Sequence, residues 1–115
     1  MQNDLAKYLY DILEAAKAIR AFVEGKEKQD YHSDEILRSA VERKFEIIGK
    51  ALNRIKKEDP NILESIREHR SIISFRNILI HGYNGIDDTI VWSVIQDDLN
   101  NLIEDVEILL SEKRQ

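Results

Sequence analysis

An octapeptide beyond the middle of the chain, residues 76–83 with the sequence RNILIHGY, brings together side chains that can act on a phosphate ester. Arg76 can clamp an anion, and His81 can carry a proton near neutral pH. Residues four apart share a face of a helix, so Asn77 can hold the imidazole of His81 in one tautomer and orientation. The octapeptide is therefore the first candidate for a functional site, and its chemistry suits phosphoryl transfer.

Arg76 and His81 do not share a helix face. Five residues at 3.6 per turn separate them by about 140° if the helix is continuous. They converge on one phosphate only if the helix ends near His81, or if a second copy of the chain supplies part of the site. Both alternatives stay open from the residues alone.

The composition predicts a single all-α domain over residues 1–115. Hydrophobic residues make up 43% of the chain and charged residues 34%, as in amphipathic helices with solvated outer faces. One proline and four glycines leave few turns, whereas an all-β chain of this length needs many more.

The absence of cysteine excludes disulfides, thiolate nucleophiles and cysteine-based zinc sites, and it favours a reducing cytoplasm. The three histidines have no close metal-ligand spacing, so we expect neither a metal nor another cofactor. The polar N-terminus lacks the pattern of a signal peptide, and no apolar run approaches the roughly 20 residues that cross a bilayer. We expect a cytoplasmic protein without a membrane partner.

Charge is unevenly distributed along the chain, whose formal net charge is −5. Residues 34–58 carry seven lysines and arginines against five acidic residues, and residues 97–112 are acidic. A local basic groove could hold a short piece of RNA, and the acidic segment could meet a basic partner. Two solvated helix faces are the simpler interpretation of each segment.

Apolar periodicity and end signals predict the first two helices. The first begins after a cap at Asn3 and stops at Gly25. Lys26 to Tyr31 is polar and predicts an exposed loop. Ser33 can cap the second helix, which runs to Glu58.

The second half of the chain predicts two further helices. Pro60 breaks the pattern, and a third helix runs from about Asn61 or Ser65 to Ile80 or His81. A last helix starts at Asp87 or Asp88. Its apolar stripe is interrupted by Asp98, and a register drift towards Leu99 and Ile103 accounts for this.

Together these segments predict an antiparallel up-and-down four-helix bundle, with a short fifth helix after Pro60 left open. The third helix is apolar on more than one face, and a helix of that kind is buried on all sides. A single small bundle cannot easily arrange such burial. We therefore expect a dimer that forms through this helix.

The octapeptide resembles the mark of the HepT toxin family, Arg-x4-His-x-Tyr, within the HEPN superfamily of small helical ribonucleases. The likeness covers most of the chain. Residues 42–55 resemble the second-helix segment of the family, and residues 75–83 resemble its core signature. Lys50 departs from the pattern, because an acidic residue is usual at that position.

The resemblance implies a homodimer that cleaves RNA without a metal, with Arg76 and His81 of both copies facing each other as catalytic residues in a cleft at the dimer axis. Asn77 would support them. The resemblance also implies a partner antitoxin, a minimal nucleotidyltransferase that silences the toxin by transferring AMP from ATP to Tyr83. The expected function is the toxin of a type VII-like HepT/MntA pair in a bacterial or archaeal cytoplasm.

Elementary chemistry agrees with this expectation. Attack by the 2′-hydroxyl of RNA needs a base, an acid for the leaving oxygen, and positive charge for the transition state. One octapeptide supplies a single imidazole, whereas a symmetric dimer supplies two copies of His81 and of Arg76.

Each candidate residue also has a plainer interpretation. His81 could be a histidine favoured by a helix C-terminus, and Arg76 a surface ion pair. Trp92 is better explained as a core or interface anchor, His32 as a residue local to its cap, and Arg67, His69 and Arg70 as a solvated turn rather than a phosphate surface. The alternative function is a non-catalytic helical dimer that acts as a binding or substrate subunit of a nucleotidyltransferase.

Overall fold

The computed structural model describes residues 2–67, 69, 72 and 87–113. Every regular element in these ranges is an α-helix, which confirms the predicted all-α class. The helices are α1 (Gln2–Val23), α2 (Lys28–Ser33), α3 (Glu35–Glu58), α4 (Pro60–Leu63), α5 (Asp88–Asp97) and α6 (Leu99–Lys113). The four-helix count and the dimer stay predictions.

Helix α1 packs against both α3 and α6. Its apolar residues at three- and four-residue spacing, including Leu9, Ile12 and Ile19, are fully buried. The Nζ of Lys17 lies 3.4 Å from Glu107, and Arg20 donates a hydrogen bond of 3.4 Å to Asn100. Rising numbers on α1 thus meet falling numbers on α6, so these two helices are antiparallel.

Of the two predicted ends of α1, the C-terminal one is confirmed and the N-terminal one is wrong. Gly25 has a φ of +74°, the left-handed conformation that commonly ends a helix. The prediction that Asn3 caps the helix is wrong, because α1 already includes Gln2.

The predicted exposed loop over Lys26 to Tyr31 is wrong, because Lys28–Ser33 forms the short helix α2. The Glu27 backbone N–H donates to the Asp30 carboxylate over 2.8 Å and secures the first turn. Tyr31 is fully buried, and its burial gives the short helix a hold on the core that a polar pattern does not reveal.

The cap of α3 is Asp34, and the prediction of Ser33 is therefore wrong. The Asp34 side chain accepts a hydrogen bond of 3.0 Å from the backbone of Leu37. Ser33 closes α2 instead, since its hydroxyl donates to the carbonyl oxygen of Gln29 over 2.9 Å.

Two features after α3 match the sequence closely. Pro60 begins the short helix α4, as the alternative of a fifth helix allowed, because a proline fits the first helical turn. Asp87 caps α5, and its side chain accepts from the Thr89 backbone over 2.9 Å.

The last predicted helix is divided in two at Asp98. The interruption shifts the buried stripe, so Leu99 and Ile103 are buried in α6 as the proposed register drift required. Within the described ranges, no helix is both long and apolar enough to cross a bilayer.

We expect Gly25→Ala to lower the free energy of unfolding by about 1 kcal/mol, because L-residues disfavour the left-handed conformation. No atom lies within 4 Å of the Cβ that would be added, so the loss would come from the backbone alone. Gly25→Asn should lose less, since asparagine tolerates this conformation. Urea unfolding of both variants tests this, and an equal loss for Ala and Asn would contradict it.

Candidate functional site

The four residues of the predicted site, Arg76, Asn77, His81 and Tyr83, lie outside the described residues, so their roles stay predictions. The structure describes the chain on both sides of them. Upstream, an arginine is ion-paired to α6; downstream, the first residue of α5 is hydrogen-bonded to α2. We call these two residues anchors, and a charged groove lies between α1 and α3.

The upstream anchor joins Arg67 to α6. The Arg67 backbone N–H donates to Oδ2 of Asp105 over 3.0 Å, and Nε donates to the same oxygen over 3.1 Å. Its terminal nitrogen donates to Oδ1 of Asp105 and to Glu104, each over 2.9 Å. One carboxylate thus fixes both the main chain and the side chain of Arg67, and Ile66 beside it is fully buried.

Asp105 is buried on the otherwise apolar face of α6, with 9% of its side chain exposed. This burial raises the pKa of its carboxyl group, but the hydrogen bonds and charge of Arg67 outweigh the burial and hold the pKa below its ordinary value. The hydrogen bonds to Asp105 in turn raise the pKa of Arg67. The pair is therefore ionised throughout the neutral range.

This pairing bears on the alternative that Arg67, His69 and Arg70 extend a phosphate-binding surface. The guanidinium of Arg67 is already bonded to two carboxylates, which would repel an anion. The backbone of His69 donates to Ile66 over 3.3 Å in a turn, and Arg70 lies outside the described residues. Arg67 acts as an anchor instead.

The downstream anchor is Asp88 at the start of α5. Its Oδ2 lies 2.8 Å from Nδ1 of His32 and 3.9 Å from Nε of Arg38. Arg38 also donates to the backbone oxygen of His32. The interpretation of His32 as a local residue is wrong, since it connects α2 to a helix start 56 residues further along the chain.

An aromatic contact lies close to this anchor. The rings of Tyr31 and Trp92 are 5.7 Å apart, and Trp92 packs against the core, which agrees with its predicted role as a core anchor. Burial, followed by the charges of Glu42 and Asp88, raises the pKa of Tyr31. Burial and then Asp88 likewise raise the pKa of Glu42. The start of α5 therefore lies in a cluster of partly buried groups that includes the carboxylates of Glu42 and Asp88.

A groove of about 550 Å³ lies between α1 and α3. The charge distribution suggested a basic groove, and this groove is lined by four cationic and two anionic side chains. Its lining residues are Lys7, Tyr8 and Asp11 from α1, and Arg43, Glu46, Ile47, Lys50, Ala51 and Arg54 from α3. Arg43 is paired with Glu46 at 3.3 Å. The groove carries a net charge of about +2, from four basic minus two acidic residues, on a chain whose net charge is −5.

Sequence reasoning missed the wall of the groove that α1 supplies. Lys7 and Asp11 are four residues apart and share a face, which was the only available signal. Nothing in the local pattern shows that this face lies beside α3. In the part of the chain that the structure describes, no group of three or more histidine or acidic side chains could hold a metal ion.

The chain is similar to known proteins whose names refer to ribonucleases. A family model described as HepT-like ribonuclease matches residues 12–109, a range that spans the groove's α3 wall, both anchors and the octapeptide. No solved structure is significantly similar to the chain.

Individual relatives match over nearly their whole lengths. "Putative RNase MJ1380" of Methanocaldococcus jannaschii is 32% identical over 94% of this chain and 98% of its own. "Probable ribonuclease HepT" of Thermococcus cleftensis is 31% identical over 89% and 92%. "Putative RNase TTE0752" of Caldanaerobacter subterraneus is 33% identical over 92% and 95%.

We expect Asp105→Asn to lower the free energy of unfolding at pH 7 by about 1–2 kcal/mol, because an amide accepts the Arg67 hydrogen bonds less well than a carboxylate. The pKa of Asp105 is lower in the folded chain, so its contribution exists above the unfolded value of about 3.9 and disappears as the pH falls through the folded value. Urea unfolding of both proteins at pH 7 and at low pH measures the difference.

Glu104→Gln is the matched control for this experiment. Glu104 bonds to the same guanidinium, but 65% of its side chain is exposed. Its substitution should change stability much less, because exposed ion pairs contribute little. Equal losses for the two variants, or a loss for Asp105→Asn that persists at low pH, would contradict the anchoring role.

Proposed function

Because this chain belongs to the HepT-like ribonuclease family, we propose that it is the ribonuclease toxin of a type VII-like HepT/MntA toxin–antitoxin pair. The observation that carries the proposal is the family match over residues 12–109, which includes the whole octapeptide. The names of the relatives, which refer to RNases, support the same activity.

In the proposed reaction, the 2′-hydroxyl of RNA attacks the adjacent phosphorus, and the bond from phosphorus to the 5′-oxygen breaks. His81 of one copy takes the proton from the 2′-hydroxyl, and His81 of a second copy gives a proton to the leaving 5′-oxygen. The products are a 2′,3′-cyclic phosphate and a 5′-hydroxyl. No metal takes part.

The remaining roles follow from charge and hydrogen bonding. Arg76 neutralises the charge that grows on the phosphoryl oxygens in the transition state. Asn77, four residues before His81, would support the imidazole. Since one octapeptide supplies one imidazole, the complete site needs a homodimer in which both copies contribute.

The two anchors give this site its support in the proposal. Arg67 is held by Asp105 nine residues before Arg76, and Asp88 is held by His32 seven residues after His81. The segment between them is thus attached at both sides to helices of the same core. Fixed residues on both sides favour catalysis, because small displacements of reacting groups reduce the rate strongly.

Control of the toxin would be covalent. The proposed antitoxin is a minimal nucleotidyltransferase that transfers AMP from ATP to the hydroxyl of Tyr83 and releases pyrophosphate. Tyr83 lies two residues beyond His81. Attached AMP would place a negative charge and a bulky group where the RNA phosphate must bind.

We expect His81→Ala and Arg76→Ala each to lower RNA cleavage at least about 100-fold, the typical contribution of a positioned proton carrier or charge. The assay uses the chain purified alone, with a chelator present, and sedimentation confirms that each variant keeps the wild-type assembly. His69→Gln, a second histidine upstream of the octapeptide, is the control and should retain cleavage. Folded wild-type dimer that leaves RNA intact would refute the ribonuclease and favour a non-catalytic binding subunit.

Co-expression with the proposed nucleotidyltransferase antitoxin should increase the intact mass of the chain by whole AMP units. Peptide mapping should place them on Tyr83, and Tyr83→Phe should abolish the increase while leaving cleavage intact. A stable complex with unmodified Tyr83 would contradict control by modification and would indicate occlusion of the site instead.

A further inference from the structure

The groove between α1 and α3 has cations that the anchors do not use. Lys7, Lys50 and Arg54 line it, and each is exposed. Among the residues that the structure describes, none of these three lies within 4.0 Å of a carboxylate. The groove therefore presents positive charge that is free to meet an outside anion.

The spacing of these cations follows the long axis of α3. Arg43, Lys50 and Arg54 are seven and four residues apart, which places them on one helix face. At a rise of 1.5 Å per residue, Lys50 and Arg54 are about 6 Å apart along the axis and the whole row extends about 16 Å. Lys7 faces this row from α1. Such a row can follow the backbone of an extended polyanion, whereas a single small anion would need a more compact cluster.

The lining of the groove also includes less polar side chains. Tyr8 and Ile47 line it, and both are partly buried against the core. A phenol ring in the lining of a cationic groove offers a base or a sugar a surface to stack on, which is how proteins bind single strands without reading their sequence. The volume of about 550 Å³ lies within the range of roughly 300–1,000 Å³ that small-molecule pockets occupy, so one or two nucleotides would fit.

We propose that this groove binds the sugar-phosphate backbone of single-stranded RNA. The inference rests on the proposed ribonuclease function, which supplies the polyanionic substrate. It explains why a chain with a net charge of −5 keeps a patch of about +2: the charge needed to hold RNA is concentrated where the strand lies. Glu46 and Arg43 are paired and offset each other, so the net charge of the patch comes from Lys7, Lys50 and Arg54 against Asp11.

The experiment compares two triple variants in a His81→Ala background, which prevents cleavage during binding. The groove variant carries Lys7→Gln, Lys50→Gln and Arg54→Gln. The control variant carries Lys26→Gln, Lys28→Gln and Lys56→Gln, three exposed lysines that do not line the groove. Both variants change the net charge equally. Fluorescence anisotropy with a labelled single-stranded RNA dodecamer measures the Kd at several salt concentrations.

We expect the groove variant to raise the Kd at least about tenfold. It should also reduce the slope of log K against log salt by about 2, since each phosphate contact of a single strand contributes roughly 0.7. The control variant should change the Kd less than about threefold and leave the slope unchanged. Circular dichroism checks folding, and Lys50→Gln alone serves as the variant if the triple does not fold.

Three outcomes would overturn the inference. The two triple variants could bind RNA equally, the parent could bind no RNA, or the groove variant could lose RNA only together with a change of oligomeric state. The last result would mean that a second copy of the chain occupies the groove.

Cleavage by the chain with His81 intact separates this inference from the proposed function. Cleavage together with equal binding by the two triple variants would refute the groove and leave the ribonuclease standing. A selective loss of binding without any cleavage by the intact chain would support the groove and refute the ribonuclease.

Discussion

The ion pair between the buried Asp105 and the half-exposed Arg67 fixes where the chain after α4 meets α6. A carboxylate on the apolar face of α6 is costly to bury unless hydrogen bonds compensate for its lost hydration. Arg67 supplies both a backbone N–H and its guanidinium. The chain that leaves α4 must therefore pass against α6 at this point. Arg67 is fixed there through both its backbone and its side chain.

A second constraint acts where the chain enters α5. The side chain of Asp87 caps the helix by accepting from the Thr89 backbone, and Asp88 bonds to His32 of α2. The short helix α2 is itself held by the burial of Tyr31, whose ring lies against Trp92. Polar and aromatic contacts thus act together, and the proposed catalytic segment lies in the chain between two anchors that belong to one core.

The distribution of charge connects this architecture to the proposed reaction. Helix α3 supplies one wall of a cationic groove, and α6 carries the carboxylates that hold Arg67. An anionic substrate would be attracted to the first surface and repelled from the second. The same small set of helices can therefore support the fold through internal ion pairs and leave other cations available for RNA.

The sequence by itself determined the helical class, the left-handed end at Gly25, the caps and breaks at Pro60 and Asp87, and the family, because these depend on local propensities and on a motif contiguous in the chain. It did not determine α2, which has a polar pattern and forms because Tyr31 finds a buried place in the core. The split of the last helix at Asp98 was visible only as an interrupted stripe. The partners of Arg67, His32 and Lys7 were decided by tertiary structure alone, since a side chain's sequence gives its charge and reach but not which distant helix is packed beside it.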